Sequence, residues 1–156
     1  MRLNLGACDH RPPGQWVNVD IVPPADQIVD LAVYPWPWPD SSAEEILARD
    51  IVEHLPDRVA TMNELYRVLR PGGRVTIVVP NASKGAGFWQ DPTHRTGWCM
   101  NSFQYFMAGS FAHGRLAAAY GITAAFRIVE LNETMTGRDP HEEVWKIRAI
   151  LEAVKP

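Results

Sequence analysis

The sequence predicts an α/β fold built on a mostly parallel sheet. Three observations carry this. Short apolar runs recur along the chain and alternate with a helical pattern. One stretch, "MNELYRVLRPGGRVTIVVPN" (residues 62–81), reads as an amphipathic helix, a Pro-Gly-Gly stop and a buried strand in direct succession. Small or acidic residues follow several of the apolar runs, at Gly6, Asp20, Asp30 and Asp50, and sheets of this kind bind ligands outside the carboxyl ends of their strands.

Taken in order, Arg2 to Gly6 is the first strand, with Leu3 and Leu5 apolar and a glycine at its end. Residues 9–15, "DHRPPGQ", are loop. Trp16 to Asp20 alternates, is β-branched and ends on an acid, so it reads as the second strand, stopped by Pro23-Pro24. Ile28 to Leu31 is a short third strand. "YPWPWPDSS" is neither helix nor central strand, because its prolines remove donors and fix φ. Glu45 to Ala48 is the fourth strand, and residues 51–55 form a turn of helix. The main helix starts near Pro56-Asp57, which suit a first turn and a cap. Val59, Met62, Leu65, Tyr66 and Leu69 give it one buried face, and Pro71-Gly72-Gly73 ends it. Arg74 to Pro80 contains "VTIVV", a continuous apolar run of the kind expected of a strand covered on both faces. Residues 81–100 are irregular. Residues 101–119 suit one or two short helices buried at Phe103, Phe106 and Phe111. Phe126 to Leu131 is a sixth strand. From Val144 to Ala153 the apolar spacing fits a helix and the alternation fits a strand.

The totals set bounds. A length of 156 residues suits one domain, 1–156, with a core that needs no staple. A net charge of −3 offers no basic footprint, so nucleic acid is not expected as a partner. The two cysteines, Cys8 and Cys99, stand in unrelated contexts and read as reduced thiols. No secretory leader and no run of about 18 apolar residues is visible, so the expectation is a soluble, cytoplasmic protein with no membrane span. The five histidines, at 10, 54, 94, 113 and 141, share no metal-ligand spacing, and Glu53-His54 lacks a second ligand four residues on, so no metal is expected. Six tryptophans and thirteen prolines are many for this length. Tryptophans in irregular segments either line a pocket or cover a core, and the sequence alone leaves both open.

Five pieces of the chain, in order, resemble the class I S-adenosylmethionine-dependent methyltransferases, and among them the small domains of the methyltransferase type 11 group. They are "LNLGAC" (3–8), "WVNVD" (16–20), the block from Val29 to Asp57, the helix-stop-strand segment, and "FWQDPTHRTGWCMNSFQYF" (88–106). Together they cover about residues 2–106. The resemblance implies a Rossmann-like doubly wound sheet of about seven strands, with the C-terminal strand antiparallel beside strand five. It implies S-adenosylmethionine as cofactor, met by Gly6, Ala7 and Cys8 after strand one, by Asp20 and Ile21 at the ribose, by Asp30 and Leu31 at the adenine, and by Asp50 near the methionine part or the acceptor. An acid after the second strand is also what a carboxylate for ribose hydroxyls requires. The chain departs from the family's DxGxGxG pattern, since Asn4 replaces the acid and Gly6 is the only glycine of the turn. That departure also argues against a nicotinamide enzyme, which wants GxGxxG there.

Methyl transfer from a sulfonium needs alignment and exclusion of water, plus a base where the acceptor must lose a proton. His94 and Asp91 are the catalytic candidates, and Trp89, Arg95 and Tyr105 the substrate-binding ones, a ring face being suited to a positive sulfonium. The expected acceptor is a small molecule or glycan-like compound. A catalytically degenerate cofactor-binding partner or scaffold is the second reading, and a different Rossmann-type enzyme the third. A homodimer is a further expectation, since the uncovered site and an exposed Trp-Pro segment would supply an interface.

Overall fold

The computed structural model describes residues 1–136 and 144–156. Seven strands form one sheet: β1 (Arg2–Leu5), β2 (Val17–Asp20), β3 (Gln27–Ile28), β4 (Ala43–Arg49), β5 (Leu69–Gly85), β6 (Phe126–Thr136) and β7 (Val144–Ala153). Their spatial order is β3-β2-β1-β4-β5-β7-β6. The pairs among β1 to β5 are parallel, while β7 runs antiparallel to both β5 and β6. This is the mostly parallel seven-stranded sheet with an antiparallel C-terminal part that the sequence suggested. Residues 144–153 resolve as strand: Ile147, Ala149, Leu151 and Ala153 alternate into the core.

Asp57 caps helix α1 (Arg58–Val68), its side chain accepting from the Ala60 amide at 2.9 Å. Met62, Leu65 and Val68 are buried against Leu3, Leu5, Ile46, Val75, Ile77 and Ala149 in one core. The helix ends at Val68, before the Pro-Gly-Gly. Leu69 is already extended and pairs with Ala43, and Pro71 disfavours helix at Arg70 before it. Asp30 ends β3 early, its Oδ1 accepting from the Ala32 amide at 2.9 Å in an Asx turn.

Two expectations are corrected by packing. Trp36 and Trp38 are only 3% and 5% exposed, so the Trp-Pro segment turns its tryptophans into the core and leaves Pro35, Pro37 and Pro39 at the surface. Trp36 donates its amide to Glu64 and its indole N–H to the Leu31 carbonyl, and Arg67 donates to the carbonyls of Trp36 and Trp38. These bonds satisfy a backbone that its prolines exclude from a ladder. Strand β5 is covered on one face only. Val75, Ile77 and Val79 are fully buried, while Thr76 and Val78 are half-buried. The cause is upstream: the β1–β2 and β2–β3 connections are short loops, so no helix crosses that side. The open face carries cross-strand ion pairs instead, Arg148 with Glu130 and Glu152 with both Arg74 and Arg127.

The segment after β5 holds a 3₁₀ turn (Met100–Phe106) and helix α2 (Phe111–Leu116). Phe103 and Phe106 are buried as expected, but Phe111 is exposed at the helix start under the Arg115 guanidinium. Among the described residues no helix is long and apolar enough to cross a membrane. His141 lies outside the described residues.

Candidate functional site

Strands β1 and β4 are neighbours, and successive connections leave them toward opposite edges of the sheet. Beyond their carboxyl ends a crevice opens, as in other sheets of this class. Two cavities occupy it.

The first measures about 380 Å³ and is lined by Gly6, Asp20, Ile21, Asp30, Leu31, Ile51, His54, Leu55 and Arg95, among others. Its floor is the turn after β1. Gly6 (φ 63°) and Cys8 (φ 40°) both take left-handed backbone, the region that glycine enters most easily. Ala7 is buried and donates its amide to the Val19 carbonyl at 3.0 Å. That curvature aims the Cys8 amide at Asp20 Oδ2 (2.8 Å), while Asp20 Oδ1 accepts from the Ile21 amide (2.7 Å). The carboxylate is thus fixed by two main-chain donors, and its remaining lone pairs are available to a ligand. A Cβ on Gly6 would lie 2.7 Å from Ile51 Cβ, so only glycine lets the β4 end pack there.

The second cavity, about 620 Å³, is lined by Asp50, Glu53, His54, Pro80, Gly87, Gln90, Asp91, His94, Thr136, Val144 and Lys146. Lys146 donates to both oxygens of Asp50, at 2.8 and 2.7 Å. Glu53 is 1% exposed, and neither of its carboxyl oxygens receives a hydrogen bond from another of the described residues. Burial pushes its carboxyl up to about 8, with a smaller opposing effect from its own amide and some help from Asp50. His94 donates its Nδ1–H to the Phe88 carbonyl at 2.6 Å, which leaves Nε2 free. That nitrogen lies 3.8 Å from Asp91 Oδ2 and 3.9 Å from Glu53 Oε1. Asp91 accepts the Thr93 hydroxyl and amide, which hold its carboxyl below the usual value. Because the Thr93 hydrogen is spent on Asp91, its oxygen accepts from His54 Nδ1 at 3.0 Å. Burial, and then the neighbouring His94, lower the pKa of His54.

Of the residues singled out in the sequence, Gly6, Asp20, Ile21, Asp30 and Leu31 meet at the first cavity, with Ala7 and Cys8 in the turn beneath. Arg95 joins them rather than the second cavity. Asp50, Asp91 and His94 meet at the second. Trp89 is 72% exposed and lines neither, and Tyr105 stacks on Tyr120 away from both. The sequence reading set Glu53 and His54 aside for want of a second ligand four residues on, and did not reach Lys146. The pair Glu53-His54 does follow a strand end, which was the available signal. Lys146 had none, because its place depends on pairing with Pro80 across an antiparallel register.

Comparison with known proteins agrees with this geometry. Residues 9–77 match the model of a family described as a methyltransferase domain. Methyltransferase GfsG of Streptomyces halstedii is 49% identical over 41 residues, 26% of this chain and 15% of that protein. The chain's matched segments span under a fifth of the length of the curated relatives. A S-adenosylmethionine-dependent methyltransferase structure from Methanosarcina mazei superposes with a TM-score of 0.67 at 13% identity, covering 99% of this chain and 92% of that one. The 1,6-didemethyltoxoflavin-N1-methyltransferase of Burkholderia thailandensis, solved with S-adenosylhomocysteine, gives 0.62 at 14% identity over 99% and 71%. By sheet order and strand-end site the chain has the fold of S-adenosylmethionine-dependent methyltransferase structures, and its residues 9–77 are similar to a methyltransferase domain.

Proposed function

We propose that this single domain, 1–156, is a cytoplasmic methyltransferase that binds S-adenosylmethionine in the first cavity and methylates a small-molecule or glycan-like acceptor in the second. One observation carries the reading: His54 walls both cavities, so a donor in one and an acceptor in the other meet across a single side chain. The residues fit the cofactor. Asp20 offers a fixed carboxylate to ribose hydroxyls, Asp30 and Leu31 stand at the adenine side, and Arg95 supplies a cation for the amino-acid carboxylate. When bound, the cofactor supplies an activated methyl on a sulfonium.

The chain's own residues do the rest. Asp50, held by Lys146, and Gln90 offer polar contacts that orient an acceptor. His94 and Asp91 lie together where the acceptor's proton must leave, with the free Nε2 of His94 facing Asp91. Calorimetric titration with S-adenosylmethionine, S-adenosylhomocysteine and NAD tests the first half, and methyl transfer to a panel of hydroxylated and aminated compounds tests the second. Micromolar binding of the first two ligands alone is expected; NAD binding, or none at all, overturns the reading.

A further inference from the structure

We propose that Glu53, His54 and His94 bind a divalent transition-metal ion of the zinc class at the junction of the two cavities. Spacing along the chain does not show this cluster, because His94 arrives from the segment after β5. Folding brings one ligand atom from each residue within 4.8 Å of the other two. Tetrahedral zinc with bonds of about 2.0–2.1 Å needs ligands about 3.4 Å apart, so side chains must close in by roughly 1 Å.

Three features point to a cation rather than to a fortuitous grouping. The first is orientation. Both imidazoles give their Nδ1–H to a protein oxygen, His94 to the Phe88 carbonyl and His54 to the Thr93 hydroxyl. Both therefore carry a lone pair on Nε2, that of His94 lying 3.9 Å from Glu53 Oε1, and such outer hydrogen bonds are how metal-binding histidines are held. The second is the unpartnered Glu53 carboxyl, 1% exposed and without a donor from another described residue. The nearby ammonium of Lys146 is committed to Asp50. A buried carboxyl without a partner is costly, and a cation removes that cost. The third is rigidity. The Glu53 carbonyl accepts the amides of Arg95 at 2.7 Å and Thr96 at 3.0 Å, and the Thr96 hydroxyl donates to the Val52 carbonyl at 3.1 Å. These bonds clamp the segment bearing His94 to the turn bearing the other two ligands.

Two imidazoles and one carboxylate suit zinc and its neighbours, and three protein ligands leave a position open. If the second cavity holds the acceptor, as proposed above, an acceptor oxygen in that open position is acidified by the metal, and Asp91 is placed to receive its proton. His94 then serves as ligand, not base. The binding claim itself does not need that reading.

The test uses the full chain, stripped by a chelator and dialysed, then titrated with Zn²⁺ by calorimetry and with Co²⁺ by visible absorption. The expected result is one site per chain, with cobalt d–d bands of a low-coordinate nitrogen and oxygen environment. His94→Ala, His54→Ala and Glu53→Gln each weaken zinc by about 100-fold or more, while His94→Ala and Glu53→Gln keep S-adenosylmethionine binding. The wild-type cobalt spectrum stands even if a variant fails to fold. No micromolar zinc binding, or affinity unchanged in all three folded variants, overturns the proposal. Zinc binding without S-adenosylmethionine binding upholds the metal site and sinks the methyl-transfer reading instead.

Discussion

Lys146, on an antiparallel strand near the C-terminus, holds both carboxylate oxygens of Asp50 at the end of β4, at 2.8 and 2.7 Å. Asp50 has left-handed backbone (φ 51°), and its amide donates to the Val78 carbonyl at 2.8 Å, so the acid is fixed at main chain and side chain alike. Both partners are partly exposed, which limits the pair to about 0.5–1 kcal/mol. A double-mutant cycle with Asp50→Ala and Lys146→Ala, read by urea unfolding, should return a coupling of that size. Additive effects would show that the pair is not formed in solution.

Asp20 should govern cofactor affinity. Asp20→Asn keeps the shape but loses the negative charge and one of the two acceptor oxygens that face the Cys8 and Ile21 amides. A loss of tenfold or more in S-adenosylmethionine affinity is expected, about 1.4 kcal/mol. Gly6→Ala should act through packing instead, since the new Cβ meets Ile51 at 2.7 Å on a left-handed backbone. Calorimetry on the folded variants separates the two. Unchanged affinity in Asp20→Asn would remove Asp20 from the ribose site.

Most of the sheet was legible because its signals are local. Leu3 and Leu5 alternate with Asn4, Asp57 caps α1, and Pro71 stops it, each within a few residues. The strand-end rule likewise brought Gly6, Asp20 and Asp30 together. What could not be read depends on distant pairing. Lys146 reaches the site only through the β5–β7 register, and His94 meets Glu53 only because Arg95 and Thr96 bind the Glu53 carbonyl. The Trp-Pro segment misled because its prolines speak for irregular backbone and say nothing about burial. Arg67 and Glu64, 28 to 31 residues downstream, decide that by satisfying its main chain.

That Glu64 contact gives the fold an acid-sensitive point. Burial raises the Glu64 pKa, but the Arg67 hydrogen bonds and the Trp36 amide together outweigh it and leave the carboxyl below its ordinary 4.5. A depressed folded pKa contributes stability that is present above about pH 4.5 and lost as pH falls through the depressed value. Thermal unfolding should therefore show wild-type protein losing more stability than Glu64→Gln between about pH 5 and 3. Parallel melting curves across that range would refute the assignment. Glu64→Ala should cost about 2–3 kcal/mol at neutral pH, because it strands the Trp36 amide and Arg67.

The one-sided sheet makes a sharper demand on adjacent residues of a single strand. In β5, Ile77 is fully buried against α1 and β7, while its neighbour Val78 lies half-buried on the open face beside Arg148. If helices covered both faces, Val78 would matter nearly as much as Ile77. With the second face open, Ile77→Ala should cost about 2–4 kcal/mol for lost burial and the cavity left behind. Val78→Ala should cost about 1 kcal/mol or less, chiefly β-propensity and partial burial. Urea unfolding of both variants decides the matter. Equal losses would mean that something packs on that face in solution, and the apolar run "VTIVV" would then have been read correctly as a strand covered on both sides.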